Sequence, residues 1–265
     1  MYARASMGRV ACLLAVASAA AALVACDVVV SSLDVKGRAT DQWTKTYQVA
    51  PTGEIEIANV SGGIDVTGGT GSQVEIIAER TARGITDEDA KKLLGQVQVV
   101  VDSTPDRLRL EMKAPAGESN HLEVKYHVKA PSGVSVRLRT TNGEISVMQL
   151  TGGVNAEVTN GTVRGRELGG AVEATTTNGT VRLDMTAVAP GGIKAETVNG
   201  AVELTIPSGA KADVDANCVN GRIAVDGMKL DGPEATRRHV GGRLNGGGPK
   251  IALETTNGGI RIAAK

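Results

Sequence analysis

A short phrase recurs along the second half of this 265-residue chain and restricts what it can fold into. It reads Thr-x-Asn-Gly-x-[Ile/Val], with corners at Asn142-Gly143, Asn160-Gly161, Asn178-Gly179, Asn199-Gly200, Asn220-Gly221 and Asn257-Gly258. The asparagines follow one another at 18, 18, 21, 21 and 37 residues. The last interval is close to two periods. A fixed period near twenty marks a solenoid, in which one coil cannot bury its apolar side alone and needs neighbours stacked on it.

Each period divides again. Second corners stand at Gly152-Gly153, Gly169-Gly170, Gly191-Gly192 and Ser208-Gly209, so each half is one strand and one turn. Around each asparagine the residue types alternate. Leu138, Ala156, Ala174, Ala195, Ala216 and Leu253 stand four before it, and Thr140, Val158, Thr176, Thr197, Cys218 and Thr255 two before it. Ile145, Val163, Val181, Val202, Ile223 and Ile260 stand three after it. The positions between are polar or charged, which puts one side of every strand in a core and the other in water.

Asn-Gly between alternating runs is also a hairpin signal, compatible with a β-sandwich. The regular spacing favours coils stacked about 4.8 Å apart, because equivalent positions keep their residue type. The fold expected is all-β, a parallel β-helix or β-solenoid of 18–21-residue coils with one short helix. The recurring asparagines read as structural turns with stacked amides rather than as ligands. A core this thin does not need aromatics; Phe is absent, and Trp43, Tyr2, Tyr47 and Tyr126 are the aromatic residues.

The order along the chain fits an exported protein. Residues 1–25 read as a signal peptide with Arg4 and Arg9 before an Ala-rich apolar run too short to span a membrane comfortably. It ends in Leu23-Val24-Ala25-Cys26. This resembles the lipobox of bacterial lipoproteins, which implies cleavage before Cys26 and lipidation of its sulfur. Residues 26–42 read as a tether and 43–133 as an N-terminal β region. A helix over 86–95 is expected there, with a capping box of Thr86 and Asp89. Its place is to cover the side or end of the stack. The repeat solenoid spans 134–265, interrupted by a long loop at 226–249, and Arg261 and Lys265 of the closing coil would discourage edge-to-edge stacking.

No catalytic motif stands out. His121, His127 and His239 have no second ligand at metal spacing, so neither metal nor cofactor is expected. Without Arg4 and Arg9 the charge is two units negative, which leaves no electrostatic footprint for nucleic acid. Cys218 falls at an inward position and reads as core packing. The 226–249 loop holds Arg237, Arg238, His239 and Arg243, the residues best placed to bind a partner. The lipobox, the repeats and the closing Gly-Gly-Gly-Pro-Lys-Ile-Ala-Leu-Glu-Thr-Thr-Asn-Gly-Gly-Ile-Arg-Ile run resemble, over about 45–265, a bacterial family of envelope β-solenoids with the provisional label of adhesins. The resemblance implies the fold and an envelope address, with no catalytic residues to carry over. The function expected is a lipid-anchored, non-enzymatic binding or scaffolding module on the outer side of the cytoplasmic membrane or on the outer membrane. Its partners would be the membrane and an envelope protein, and it would be a monomer. The alternative is a polysaccharide-degrading β-helix enzyme.

Overall fold

The twenty-residue period appears as a two-sided coil. The structure is a computed structural model and describes residues 36–115 and 117–265. The expected signal peptide, Cys26 and the first part of the tether lie outside the described residues. The strands are β1 (Gly37–Gln48), β2 (Glu54–Ala58), β3 (Ile64–Gly69), β4 (Gln73–Gly84), β5 (Gln98–Ser103), β6 (Arg107–Lys113) and β7 (Leu122–Pro131). They continue as β8 (Ser135–Asn142), β9 (Ile145–Met148), β10 (Val154–Asn160), β11 (Val163–Leu168), β12 (Val172–Asn178), β13 (Val181–Met185), β14 (Ile193–Asn199) and β15 (Val202–Ile206). The last are β16 (Ala212–Asn220), β17 (Ile223–Asp226), β18 (Leu230–Ala235), β19 (His239–Leu244), β20 (Lys250–Asn257) and β21 (Ile260–Ala264). Helix α1 (Asp87–Leu94) stands between β4 and β5.

Two sheets face one another across the core. The first runs β1-β4-β7-β3-β9-β11-β13-β15-β21-β17 and the second β18-β19-β16-β20-β14-β12-β10-β8-β2-β6-β5. Each coil gives one strand to each sheet. The inward rows named from sequence are buried, Leu138, Ala174, Ala195, Ala216 and Leu253 completely. The exception is Ile223 on β17, which is half-buried because its strand ends the first sheet.

The Thr-x-Asn-Gly phrase is explained at the corner. The inward threonine hydroxyl donates to the corner glycine carbonyl of the neighbouring coil: Thr140 to Gly62, Thr176 to Gly161, Thr197 to Gly179 and Thr255 to Gly200, at 3.0–3.2 Å. The asparagine amides form a ladder at 2.8–2.9 Å per rung, in the order Asn142, Asn160, Asn178, Asn199, Asn257, Asn220. The glycine is required by space as well as conformation. A Cβ on Gly179, whose φ is +155°, would stand 1.8 Å from the Gly161 carbonyl oxygen.

That ladder is not in sequence order. The coil β20/β21 lies between β14/β15 and β16/β17, so the 37-residue step is a return of the chain and not a skipped period. The 226–249 segment, expected as a long loop, carries β18 and β19, an antiparallel hairpin laid on β16. With the outer side of β16 occupied, the returning chain enters between coils. The arrangement also suits the side chains. Ile251, Leu253, Thr255, Ile260 and Ile262 of the inserted coil are buried, while the poorer set on β17 takes the end. Arg261 and Lys265 are therefore not at an edge. Arg261 pairs with Asp226 at 2.7 Å and Lys265 pairs with Asp184.

The other end is built in the same way. β2/β3 is a degenerate coil with Ser61 in the asparagine position, bridged to Asn142, and β6/β7 stacks on its far side. Asn59 takes the inward threonine's place and its amide donates to the Val124 carbonyl at 2.8 Å. β4 and β1 then extend the first sheet antiparallel, and β5 extends the second. Residues 37–42, expected as tether, thus belong to a strand. Their weak pattern arises because β1 packs on one face only, through Ala39, Trp43 and Tyr47. Helix α1 has the Thr86–Asp89 capping box and buries Ala90 and Leu94 beside β4 and β1.

Candidate functional site

The outward rows of the sheets are ladders of paired charge. Arg139 meets Glu157 at 2.6 Å, Arg182 meets Glu203 at 2.7 Å, Arg164 meets Glu144 at 3.2 Å and Lys194 meets Glu196 at 3.0 Å. The hydrogen bond from Arg107, aided by Arg109 and Arg137, holds the Glu56 carboxyl below the usual carboxylate range, and Arg182 does the same for Glu203. Such groups are tuned to stay ionised at neutral pH. A general acid needs the opposite shift.

The charge pairing changes character at the β18–β19 hairpin. Its turn is fixed by Thr236, whose backbone N–H donates to the His239 carbonyl at 2.7 Å and whose hydroxyl accepts from the N–H groups of Arg238 and His239. Arg237 and Arg238 occupy the two central positions and are exposed. Neither forms an ion pair among the described residues. The Cys218 N–H donates to the Arg238 carbonyl at 2.8 Å, which ties the turn to β16.

His239 and Arg243 are placed differently, on the outward face of β19. His239 Nδ1 lies 2.8 Å from Asn217 Oδ1, and the Asn217 amide donates to Asp215 at 2.8 Å, to which Lys250 adds a pair at 3.5 Å. Arg243 stands in register with Asp213 and Asp231. The structure therefore groups the four residues into two pairs. His239 and Arg243 lie on a face that also carries Asp213, Asp215 and Asp231, while Arg237 and Arg238 project from the turn.

Sequence reasoning passed over a neighbouring row. The residue before each corner asparagine points outward, and in stacking order that row reads Thr141, Thr159, Thr177, Val198, Thr256, Val219. Val198 is 44% and Val219 56% exposed. Between this row and the hairpin turn lies a concavity of about 440 Å³ lined by Val198, Asn217, Cys218, Val219, Arg238 and Thr256, among others. The signal for it was the Thr-to-Val change before Asn199 and Asn220, but the hairpin that walls it has no repeat to announce it. Cys218 is 4% exposed at the base of this concavity.

Among the described residues no helix is long and apolar enough to cross a membrane, and no three His, Cys, Asp or Glu side chains are grouped to hold a metal. Solved structures to which the chain is similar include a protein from Clostridium sporogenes provisionally named for cell adhesion, 12% identical, covering 86% of this chain and all of its own, with a TM-score of 0.46. A provisionally named adhesin from Bacteroides fragilis is 11% identical, covers 85% of this chain and 97% of its own, and has a TM-score of 0.31. No curated protein matches the chain. The family model for Toastrack DUF4097 matches residues 15–263, nearly the whole length, and the chain belongs to that family.

Proposed function

We propose that the protein is a non-enzymatic, adhesin-like binding module held at the cell envelope by a lipid on Cys26, and that it meets an acidic protein surface with the β18–β19 turn. The observation that carries this is the pairing of Arg237 and Arg238, unpaired at a tight turn, with the exposed Val198 and Val219 beside them. On the outward rows Arg139, Arg164, Arg182 and Arg261 are matched to carboxylates of neighbouring coils. A partner that sets a carboxylate against the Arg237–Arg238 turn and an apolar side chain against Val198 and Val219 would fit this corner. The absence of an aromatic from its named lining favours protein over sugar, since sugar sites usually use an aromatic platform.

Deleting 226–249 would not test this, because that segment carries the chain back to the inserted coil. The full-length chain should instead carry a photo-activated crosslinking residue at Val219 in living cells. A discrete protein adduct is expected, reduced at least fivefold in the Arg237→Glu/Arg238→Glu variant; an undiminished yield overturns the role of the turn. The lipid anchor is tested separately by fatty-acid labelling, which Cys26→Ser should abolish. Equal labelling of the two chains removes the anchor from the proposal.

A further inference from the structure

Four strands end the sheets among the described residues, and three are poor edges for another strand. β17 has four residues. β18 contains Gly232 and Pro233 and shifts register between Asp231 and Glu234. β5 has six residues. The fourth, β1, is twelve residues long, has no proline, and pairs with β4 without a register shift from Gly37 to Gln48. Natural sheets usually blunt such an edge or cover it.

The free side of β1 can be identified. The Arg38 N–H donates to Asp87 of α1 at 3.1 Å, so it points away from β4. By the alternation of an antiparallel ladder, Thr40, Gln42, Thr44 and Thr46 direct their N–H and C=O groups the same way. No backbone hydrogen bond to another strand is formed on that side among the described residues.

The order of side chains on this edge is self-complementary. Two copies of residues 39–47 laid antiparallel about Trp43 place Trp43 opposite Trp43, Ala39 opposite Tyr47, Thr40 opposite Thr46 and Gln42 opposite Thr44. Asp41 falls opposite Lys45 twice, once on each side of the two-fold axis. A register two residues away in either direction sets Asp41 against Trp43 or Tyr47 and loses both charge pairs. Within one chain Asp41 is bound by Arg80 at 2.8 Å from the β4 side, while Lys45 lies opposite Ile76 and forms no ion pair among the described residues. A second Lys45 would thus complete a row of alternating charge, Arg80–Asp41–Lys45. Trp43 and Tyr47 are half-buried in the single chain, on the inner face where Val99 and Val101 are also partly covered. Cross-strand aromatic and opposite-charge pairs are the units that stabilise such a junction.

We infer that β1 is a homodimer interface, in which two chains pair β1 antiparallel about Trp43 and join their first sheets into one continuous sheet across a two-fold axis. The contact is isologous and closes at two copies, so it forms a dimer and not a fibre. It departs from the monomer expected of the sequence.

The test uses the full chain expressed in its own envelope and a symmetric disulfide. In a pair that does not share hydrogen bonds, opposite Cα atoms are about 4.5 Å apart, within disulfide range. Trp43→Cys should therefore run as a covalent dimer on a non-reducing gel, at least tenfold more than Thr44→Cys, whose opposite residue is Gln42. Adding Lys45→Glu, which sets two carboxylates against each other, should reduce that dimer at least fivefold, and Lys45→Arg should retain it. Equal dimer in the Trp43→Cys and Thr44→Cys chains, or indifference to Lys45→Glu, overturns the inference. A measurement on the unsubstituted chain guards against a variant that fails to fold. Carbodiimide treatment of mixed isotope-labelled and unlabelled chains should yield a Lys45–Asp41 crosslink of mixed mass, and its absence overturns the pairing as well.

Discussion

The central coils and the terminal ones obey different rules. From β8 to β15 the order in the stack is the order in the chain, each coil resting on its predecessor in unbroken corner register. Beyond them order is exchanged at both ends. β2/β3 is enclosed between β6/β7 and β8/β9, and β20/β21 between β14/β15 and β16/β17. In both places the outermost coil supports antiparallel strands, and at the C-terminal end the coil with the fuller inward set is kept inside. A coil's repeat specifies how it stacks but not on which neighbour. At the C-terminal end the outermost place goes to the strand that loses least from having one side uncovered, β17 with its half-buried Ile223 and Val225.

The corner glycines should separate the two regimes most strongly. Gly179→Ala places a Cβ against Gly161, with neighbours on both sides and nowhere to move, and should cost about 3 kcal/mol or more by denaturant unfolding. Gly221 would bring its Cβ to 1.7 Å from the Gly258 carbonyl, yet its coil is last and can shift outward, so Gly221→Ala should cost clearly less. Equal losses would mean that the end coil is as confined as the centre. Buried side chains give the next step. Ile145→Ala, from a fully buried site, should lose about 2–5 kcal/mol, and the same change at half-buried Ile223 should lose under about 1.5 kcal/mol.

The same contrast marks what could be read from residues alone. The corner phrase carries its own physics: threonine to glycine carbonyl, amide to amide, and a glycine no other residue can replace. Fold and inward rows therefore followed from it. The position of the Asn257 rung did not, because every rung is chemically alike and an interval of 37 fits a skipped period as well as a return. β18, β19 and the first half of β1 were missed for a related reason. They pair antiparallel at the ends, pack on one face or none, and show polar runs such as Thr40-Asp41-Gln42 that read as tether or loop. Of the four residues proposed as a site, spacing could not tell that His239 and Arg243 would lie on β19 opposite β16 while Arg237 and Arg238 would stand at the turn.

The amide ladder gives a smaller effect of the same kind. Asn178 donates to Asn160 and accepts from Asn199, whereas Asn220, at the end, donates to Asn257 and accepts from no further rung. Both are exposed, so the net contribution of each bond is modest. Asn178→Ala should cost about 1–2 kcal/mol in thermal or chemical unfolding and Asn220→Ala about half as much. A larger loss at Asn220 would contradict the observed order of the ladder.

The smallest effect probes the inserted coil through charge. Glu203 is held below the usual carboxylate range first by its hydrogen bond with Arg182 and then by the charges of Arg182 and Arg261. Arg182 comes from the coil before it in sequence, and Arg261 from the coil that returns to lie on its other side. A carboxyl whose folded pKa is depressed adds stability that is whole above its unfolded value and is lost as pH falls through the folded one. The thermal midpoint of the unsubstituted chain should therefore exceed that of Glu203→Gln at pH 7, and the difference should shrink as pH falls below the ordinary carboxylate range and through the folded pKa. The pair is substantially exposed, so the difference will be small and will shrink further in high salt. The sharper reading is the Glu203 carboxyl itself, followed by carbon-detected NMR. Arg261→Ala should raise its pKa slightly and Arg182→Ala should raise it more. No response to Arg261→Ala would place the returning coil away from β15, and the distinction between ordered centre and exchanged ends would fail at the C-terminal end.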